Sequence, residues 1–255
     1  MAEAAQAVIN KYVEGECHLN LSDMQGPEMS DQQVTEYVLG VIMVQQFSLK
    51  AGINKFGDRA KEAVTKELTQ LHDMETYVPM DPDKMTPQQK SEALNLLMFL
   101  VEKRDGRIKS HACADGSVQK RRPGYVKEDS ASPTVSTEAV FITAAIEAHE
   151  NCNMACFDIP GAFLHADCED ENTFMLLRGQ LAELMVLVDP KLYLEYVRYS
   201  PSGQAMLYVR MTKALYGMLK SALWFYRKLR DNLKEQGFDL NPYDPYVANK
   251  MVNGK

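Results

Sequence analysis

Asp158 is the residue around which a chemical site can be argued. It follows the apolar run Met154-Ala155-Cys156-Phe157 and precedes Ile159-Pro160-Gly161. A buried strand over residues 154–157 that ends in a turn would put this carboxylate at the lip of a sheet, where ligands are usually met. The surrounding charges are segregated. Residues 128–177 contain ten acidic side chains and no Lys or Arg, whereas residues 103–127 carry eight Lys or Arg against Asp105 and Asp115. Residues 210–234 add seven basic side chains against Asp231 alone. Two basic arms around an acidic centre suit a protein that holds polyanions near a cation-requiring site, and they equally suit ordinary solvated faces.

Other chemistries lack their residues. The sequence has no Walker-type glycine loop, no Gly-x-Ser-x-Gly elbow and no His-Glu-x-x-His pair. His149, Cys152 and Cys156 have no partner pair to complete a zinc site and read as packing thiols and a surface imidazole. The acidic run 167–171 lacks the glycine and alternation of a calcium loop. Five cysteines in 255 residues are an odd, sparse set and read as reduced thiols. With 45% hydrophobic and 25% charged residues, the composition is that of a soluble globular protein. No apolar stretch approaches the roughly 20 residues that span a bilayer. The first residues form no basic leader with an apolar core, so the expectation is an intracellular, cytoplasmic protein without a membrane partner. The net charge of -7 counts against a nucleic-acid binder unless the basic residues act as local patches.

Residues 156–167, Cys-Phe-Asp-Ile-Pro-Gly-Ala-Phe-Leu-His-Ala-Asp, resemble the first catalytic motif of reverse transcriptases encoded by copia-type LTR retrotransposons. Further matches stand in the family's order. Met98-Phe99-Leu100 through Lys109 and Ser132-Pro133-Thr134-Val135 come before this motif. Lys213-Ala214-Leu215-Tyr216-Gly217, Trp224-Phe225-Tyr226 and Gly237-Phe238 through Asp244-Pro245 follow it. Several weak motifs in correct order are more specific than any one alone.

The resemblance implies an α+β fold of the right-hand polymerase type, with fingers and an incomplete palm built on a mainly antiparallel sheet with helices on one face. Residues 41–255 would form this unit, and residues 1–40 an N-terminal extension or linker. It implies that Asp158 is catalytic and ligates magnesium, with the carbonyl of Ile159 nearby. Phe163 would lie under the incoming sugar and exclude a ribose 2′-hydroxyl. Lys109 would reach the triphosphate, and Tyr216 and Gly217 would border nucleotide and template. Template–primer would run over Lys103, Arg104, Arg107, Lys120 and Lys220. The implied partners of the full-length parent are an RNA or DNA template–primer, deoxynucleoside triphosphates and the remainder of a Pol polyprotein.

Two substitutions depart from the family pattern: His111 replaces a second basic residue beside the hairpin lysine, and Ser221-Ala222 replaces a Ser-Pro. A larger departure is that no Asp-Asp dipeptide occurs in the chain. Two divalent ions about 4 Å apart repel by roughly 4 kcal/mol even in water, which one carboxylate does not offset. The expectation is therefore a polymerase-derived chain that is inactive alone. A non-catalytic nucleic-acid binder and an inert retroelement remnant are the alternatives.

These residues need elements to position them. The spacing predicts helices over 31–48 and 58–74, the second capped by Asp58 and carrying Ala60, Val64, Leu68 and Leu71. Thr86-Pro87-Gln88-Gln89 opens a third, and all three read as core helices. Residues 97–103 and 107–113 flank Asp105-Gly106 and predict a hairpin with a two-residue turn. Ser136 caps a helix over 137–149 whose stripe is Val140, Ala144 and Ala148. Residues 213–236 predict one continuous helix, with Trp224 as a packing residue. Residues 246–252 alternate like a strand before Asn253-Gly254, a hairpin turn, so a returning strand is expected beyond Lys255 and the sheet edge is expected to be unpaired.

Overall fold

The structure, a computed structural model, describes residues 46–121, 130–153, 155, 156 and 158–251. The predicted helix over 31–48 falls mostly outside them. Its last three residues, Gln46–Ser48, are instead the strand β1. Ser48 then caps α1 (Leu49–Phe56) by accepting the Ala51 N–H. α2 (Asp58–Asp73) buries all four expected apolar residues, each 0–1% exposed. Asp58 lies in its first turn rather than at the cap, a position taken by Gly57 with φ 58°. The short strand β2 (Tyr77–Met80) follows.

Thr86 and Gln89 make the expected reciprocal capping box at the start of α3 (Pro87–Glu92). This helix buries none of its residues. It is a surface turn and not the core helix its start signal suggested, because six residues give too little length for an apolar stripe.

β3 (Leu94–Glu102) and β4 (Ile108–Ala114) form the expected hairpin, paired from Leu96–Ala114 to Glu102–Ile108. The turn is longer than predicted. Lys103 N–H donates to Arg107 O at 2.8 Å and Gly106 N–H to Lys103 O at 2.8 Å, while Gly106 alone takes positive φ, 78°. That is a three-residue loop closed by a bulge glycine.

β5 (Phe174–Arg178), α5 (Gln180–Val188), the single turn α6 (Pro190–Tyr193), β6 (Arg198–Tyr199) and β7 (Ala205–Met211) complete the main unit after α4 (Thr137–Glu150). The sheet runs β1-β3-β5-β7-β2, with β4 added to β3 and β6 to β7. β3 and β5 are parallel and the other pairs antiparallel. The class is therefore α+β with a mostly antiparallel sheet, as expected.

Both faces of the sheet are covered, which corrects the one-face arrangement. Met175 and Leu177 join the main core with α2 and α5, while Phe174 and Leu176 point the other way onto Met85, Ala93 and Tyr208. Alternate β5 residues serve opposite faces, so the strand reads as a continuous apolar run. Full burial of such a side chain contributes about 1.5–3 kcal/mol.

Pro79 lies on β2, a sheet edge. Thr212 N–H donates to Thr76 O at 2.9 Å, and Val78 stands opposite Arg210. Val78 therefore directs its backbone groups at β7, and Pro79 faces away, where its missing N–H breaks no rung.

The C-terminal part is less densely packed. α7 (Ser221–Glu235) is shorter than the helix predicted over 213–236. Lys213 bridges to Asp167 instead, and Gly217 takes φ 93°, so 213–220 is a loop that threads the sheet end. Leu215 and Met218 are buried from that loop, and Trp224 is buried from the helix. β8 (Asp239–Leu240) pairs with β9 (Ala248–Asn249), so the predicted C-terminal strand forms over two residues and has a partner on one side. Asn253 and Gly254 lie outside the described residues. No described helix is long and apolar enough to cross a membrane.

Candidate nucleotide and nucleic-acid site

Ser136 caps α4 as predicted, accepting the Ala139 N–H at 3.1 Å, and the helix ends at Asn151 in the left-handed conformation. The stripe expected on it buries nothing. The predicted buried strand over 154–157 is also corrected. Ala155 and Cys156 are exposed and belong to no strand, while Met154 and Phe157 lie outside the described residues. Asp158 is exposed and has no hydrogen-bond or ion-pair partner among the described residues. Ile159, beside it, is half-buried. No group of three His, Cys, Asp or Glu converges anywhere among the described residues, so neither a zinc cluster nor a multi-carboxylate metal site forms there.

Phe163 and Tyr216, 53 positions apart, are brought together. Phe163 sits in the single turn Ala162–His165, opened by Gly161 at φ 61°. Its ring stacks on Tyr216 with centroids 6.1 Å apart and planes at 12°, and Phe225 of α7 meets it edge-on at 6.0 Å. Tyr216 is 67% exposed, so the stack has an open side.

The Tyr216 backbone is fixed to the hairpin, since Ala114 N–H at the end of β4 donates to Tyr216 O at 2.8 Å. Gly217 then passes so close to β4 that an added Cβ would lie 2.1 Å from Ala114 O. A Cβ on Gly116 would meet Gly217 O at the same distance. Two glycines are needed because two backbones touch.

The basic residues fall into two groups. Lys103, Arg104 and Arg107 lie at the hairpin tip, with Lys109 on β4 opposite Val101. At the tip, Arg59 of α2 donates to Gly106 O, and Arg107 Nη2 lies 2.6 Å from Asp105 Oδ2. In a second group, buried Gln119 accepts Leu219 N–H through Oε1 at 3.0 Å. This bond joins the residues that precede Lys120 and Lys220, and both lysines are exposed.

His111, at the position where a second basic residue was expected, stays neutral more readily than an ordinary imidazole. Loss of water around it lowers its pKa first and the Lys109 charge lowers it next, while Glu67 opposes. Cys113 and Cys168 are pushed up, chiefly by burial, which keeps them as thiols.

Asp244 has a structural role that was not read from the sequence. Its carboxylate accepts Ser136 N–H at 2.8 Å and Tyr246 N–H at 2.9 Å. These backbone bonds hold its pKa below the usual carboxylate range. Ser132 Oγ and Tyr246 OH are 3.0 Å apart, and Tyr246 stacks on Tyr226 at 4.9 Å. The Ser132-Pro133 and Asp244-Pro245 motifs thus form one clip at the start of α4. Both were visible in the sequence, but their pairing spans more than a hundred residues and has no local signal.

The chain is similar to two Gag-Pol polyproteins of Saccharomyces cerevisiae. It is 26% identical over 179 residues to that of transposon Ty1-NL2 and 26% identical over 179 residues to that of Ty1-BL. Each match covers 69% of this chain and 9% of the polyprotein. No family model and no solved structure matches the chain. The chain thus spans about a tenth of the length of these retrotransposon polyproteins, and the similarity supports a retrotransposon Pol origin.

Proposed function

We propose that this chain is a fragment of a retrotransposon reverse transcriptase, comprising fingers and part of a palm, whose own capacity is to bind a nucleic-acid duplex and not to extend it. The observation that carries the reading is the Phe163–Tyr216 stack anchored to the end of the β3–β4 hairpin. It joins residues from three separate motifs of the resemblance, in a chain similar to Ty1 Gag-Pol polyproteins. In this reading Phe163 and Tyr216 border the nucleotide. Lys103, Arg104 and Lys109 meet phosphates from the hairpin, and Lys120 and Lys220 meet them from the second basic group.

The residues present do not fit the magnesium pair that nucleotidyl transfer uses. Asp158 belongs to no cluster of three or more His, Cys, Asp or Glu among the described residues, and two divalent ions require several carboxylates. No catalytic step is assigned to this chain.

The test is binding of an RNA–DNA template–primer at several salt concentrations. The expected result is an affinity that falls steeply with salt. The variant Lys103→Glu/Arg104→Glu/Lys109→Glu/Lys120→Glu should weaken binding at least tenfold and flatten the slope by about 3–4. Unchanged binding in that variant would overturn the basic-surface reading. Asp158-dependent primer extension by this chain would overturn the inactivity.

A further inference from the structure

The β3–β4 hairpin carries its unpartnered polar groups on one side. Side chains alternate along β4, so Lys109 and His111 share a face while Ser110 and Ala112 are buried on the other. Lys109 stands opposite Val101 and His111 opposite Phe99, so β3 adds two half-buried apolar side chains to this face and no charge. Lys103 follows at the start of the turn. Lys103, Lys109 and His111 are all exposed, and none of the three side chains has a hydrogen-bond or ion-pair partner among the described residues.

The charges that act on the His111 imidazole come from three places. Lys109 on its own strand and Lys103 at the turn disfavour its protonation, Glu67 of α2 favours it, and loss of water outweighs each of them. Glu67 is held there by accepting Ala112 N–H at 2.9 Å. Two lysines against one carboxylate leave the face positive, and at neutral pH its third nitrogen group is an uncharged imidazole.

A phosphate oxyanion changes that balance. Held by Lys103 and Lys109, it meets the imidazole as well and favours the protonated form, and by linkage the proton favours the phosphate to the same degree. We infer that His111 is a proton-coupled phosphate ligand: the hairpin face takes up a proton at His111 when it binds a backbone phosphate of a nucleic-acid duplex, and therefore binds the duplex more tightly as pH falls. This rests on the duplex-binding function proposed above and adds to it the residue that titrates. The bound phosphate raises the imidazole pKa above that of the free protein. The added affinity is therefore complete below the free value and is lost as pH rises through the bound value.

Binding of an RNA–DNA template–primer without terminal phosphates, from about pH 5.5 to about pH 8.5 at constant salt, tests the inference. Phosphodiesters keep their charge across this range, so the backbone contributes no titration of its own. The expected affinity is about five- to tenfold higher at the acid end. His111→Gln should stay at the weaker level at every pH, and His111→Lys at the tighter level. In the parent, the titration midpoint of the His111 ring resonances should rise by about one pH unit when the duplex is added. The inference is overturned by an affinity that does not vary with pH, by a variation that persists in His111→Gln, or by a midpoint that the duplex does not move. In each of these cases, loss of binding in the fourfold glutamate variant would still uphold the basic surface, so the two readings fail separately.

Discussion

α2 and α4 are of similar length, 16 and 14 residues, and opposite in situation. α2 carries Ala60, Val64, Leu68 and Leu71 on one stripe and buries all four against β3, β4 and α5, with Glu67 even accepting Ala112 N–H from β4. α4 is apolar on nearly all sides and buries none. The half of the molecule around α2 is held by a two-faced sheet. The half around α4 is held by a clip of hydrogen bonds at Asp244 and by the Tyr226–Tyr246 stack. Apolar composition therefore does not measure packing: a stripe is matched to a surface already present, whereas an all-round apolar helix declares a surface still to be met.

Paired substitutions sharpen this contrast most. Leu177→Ala, at a fully buried position of β5, should lower stability by about 2–5 kcal/mol in urea denaturation. Ile142→Ala on α4 should change it by less than about 0.5 kcal/mol, and an equal loss at both sites would break the comparison. Gly217→Ala comes next, at about 1–3 kcal/mol, because it combines a positive φ with a collision against Ala114 O. It should also separate Tyr216 from Phe163, which the ring resonances of both residues would report.

Asp244→Ala should have a smaller, local effect: faster hydrogen exchange at the first turn of α4, with β7 unchanged. The same clip gives the sign of a pH effect. The folded-state pKa of Asp244 is depressed, so its contribution is complete above the unfolded value of about 3.9 and is lost as pH falls through the folded value. Exchange in α4 should therefore rise below about pH 4 in the parent and be insensitive to that range in Asp244→Ala. Smallest of all is His111→Lys, which should tighten duplex binding severalfold at pH 7.5 by adding a charge the imidazole does not carry.

What could be read from the sequence was local. The four buried residues of α2, the Thr86 capping box and the Ser136 cap all follow from spacing within one turn or two. The hairpin was placed correctly, yet its turn was read one residue too short, because Asp-Gly serves both loop lengths and only the Lys103–Arg107 closure separates them. The helix over 213–236 was overextended because Leu215 and Met218 keep helical spacing while being buried from a loop. In the candidate site, Phe163 and Tyr216 were both named from motifs, but their stacking was not foreseeable. It depends on two backbones in contact at Gly116 and Gly217, and contact between distant segments leaves no periodic trace.

The position of Pro79 has a consequence for how this protein can stick to itself. At the outer rim of β2 an incoming extended chain finds a backbone with a donor missing, which stops ladder growth in the manner of fibrils at that rim. Self-association through that strand is thereby discouraged.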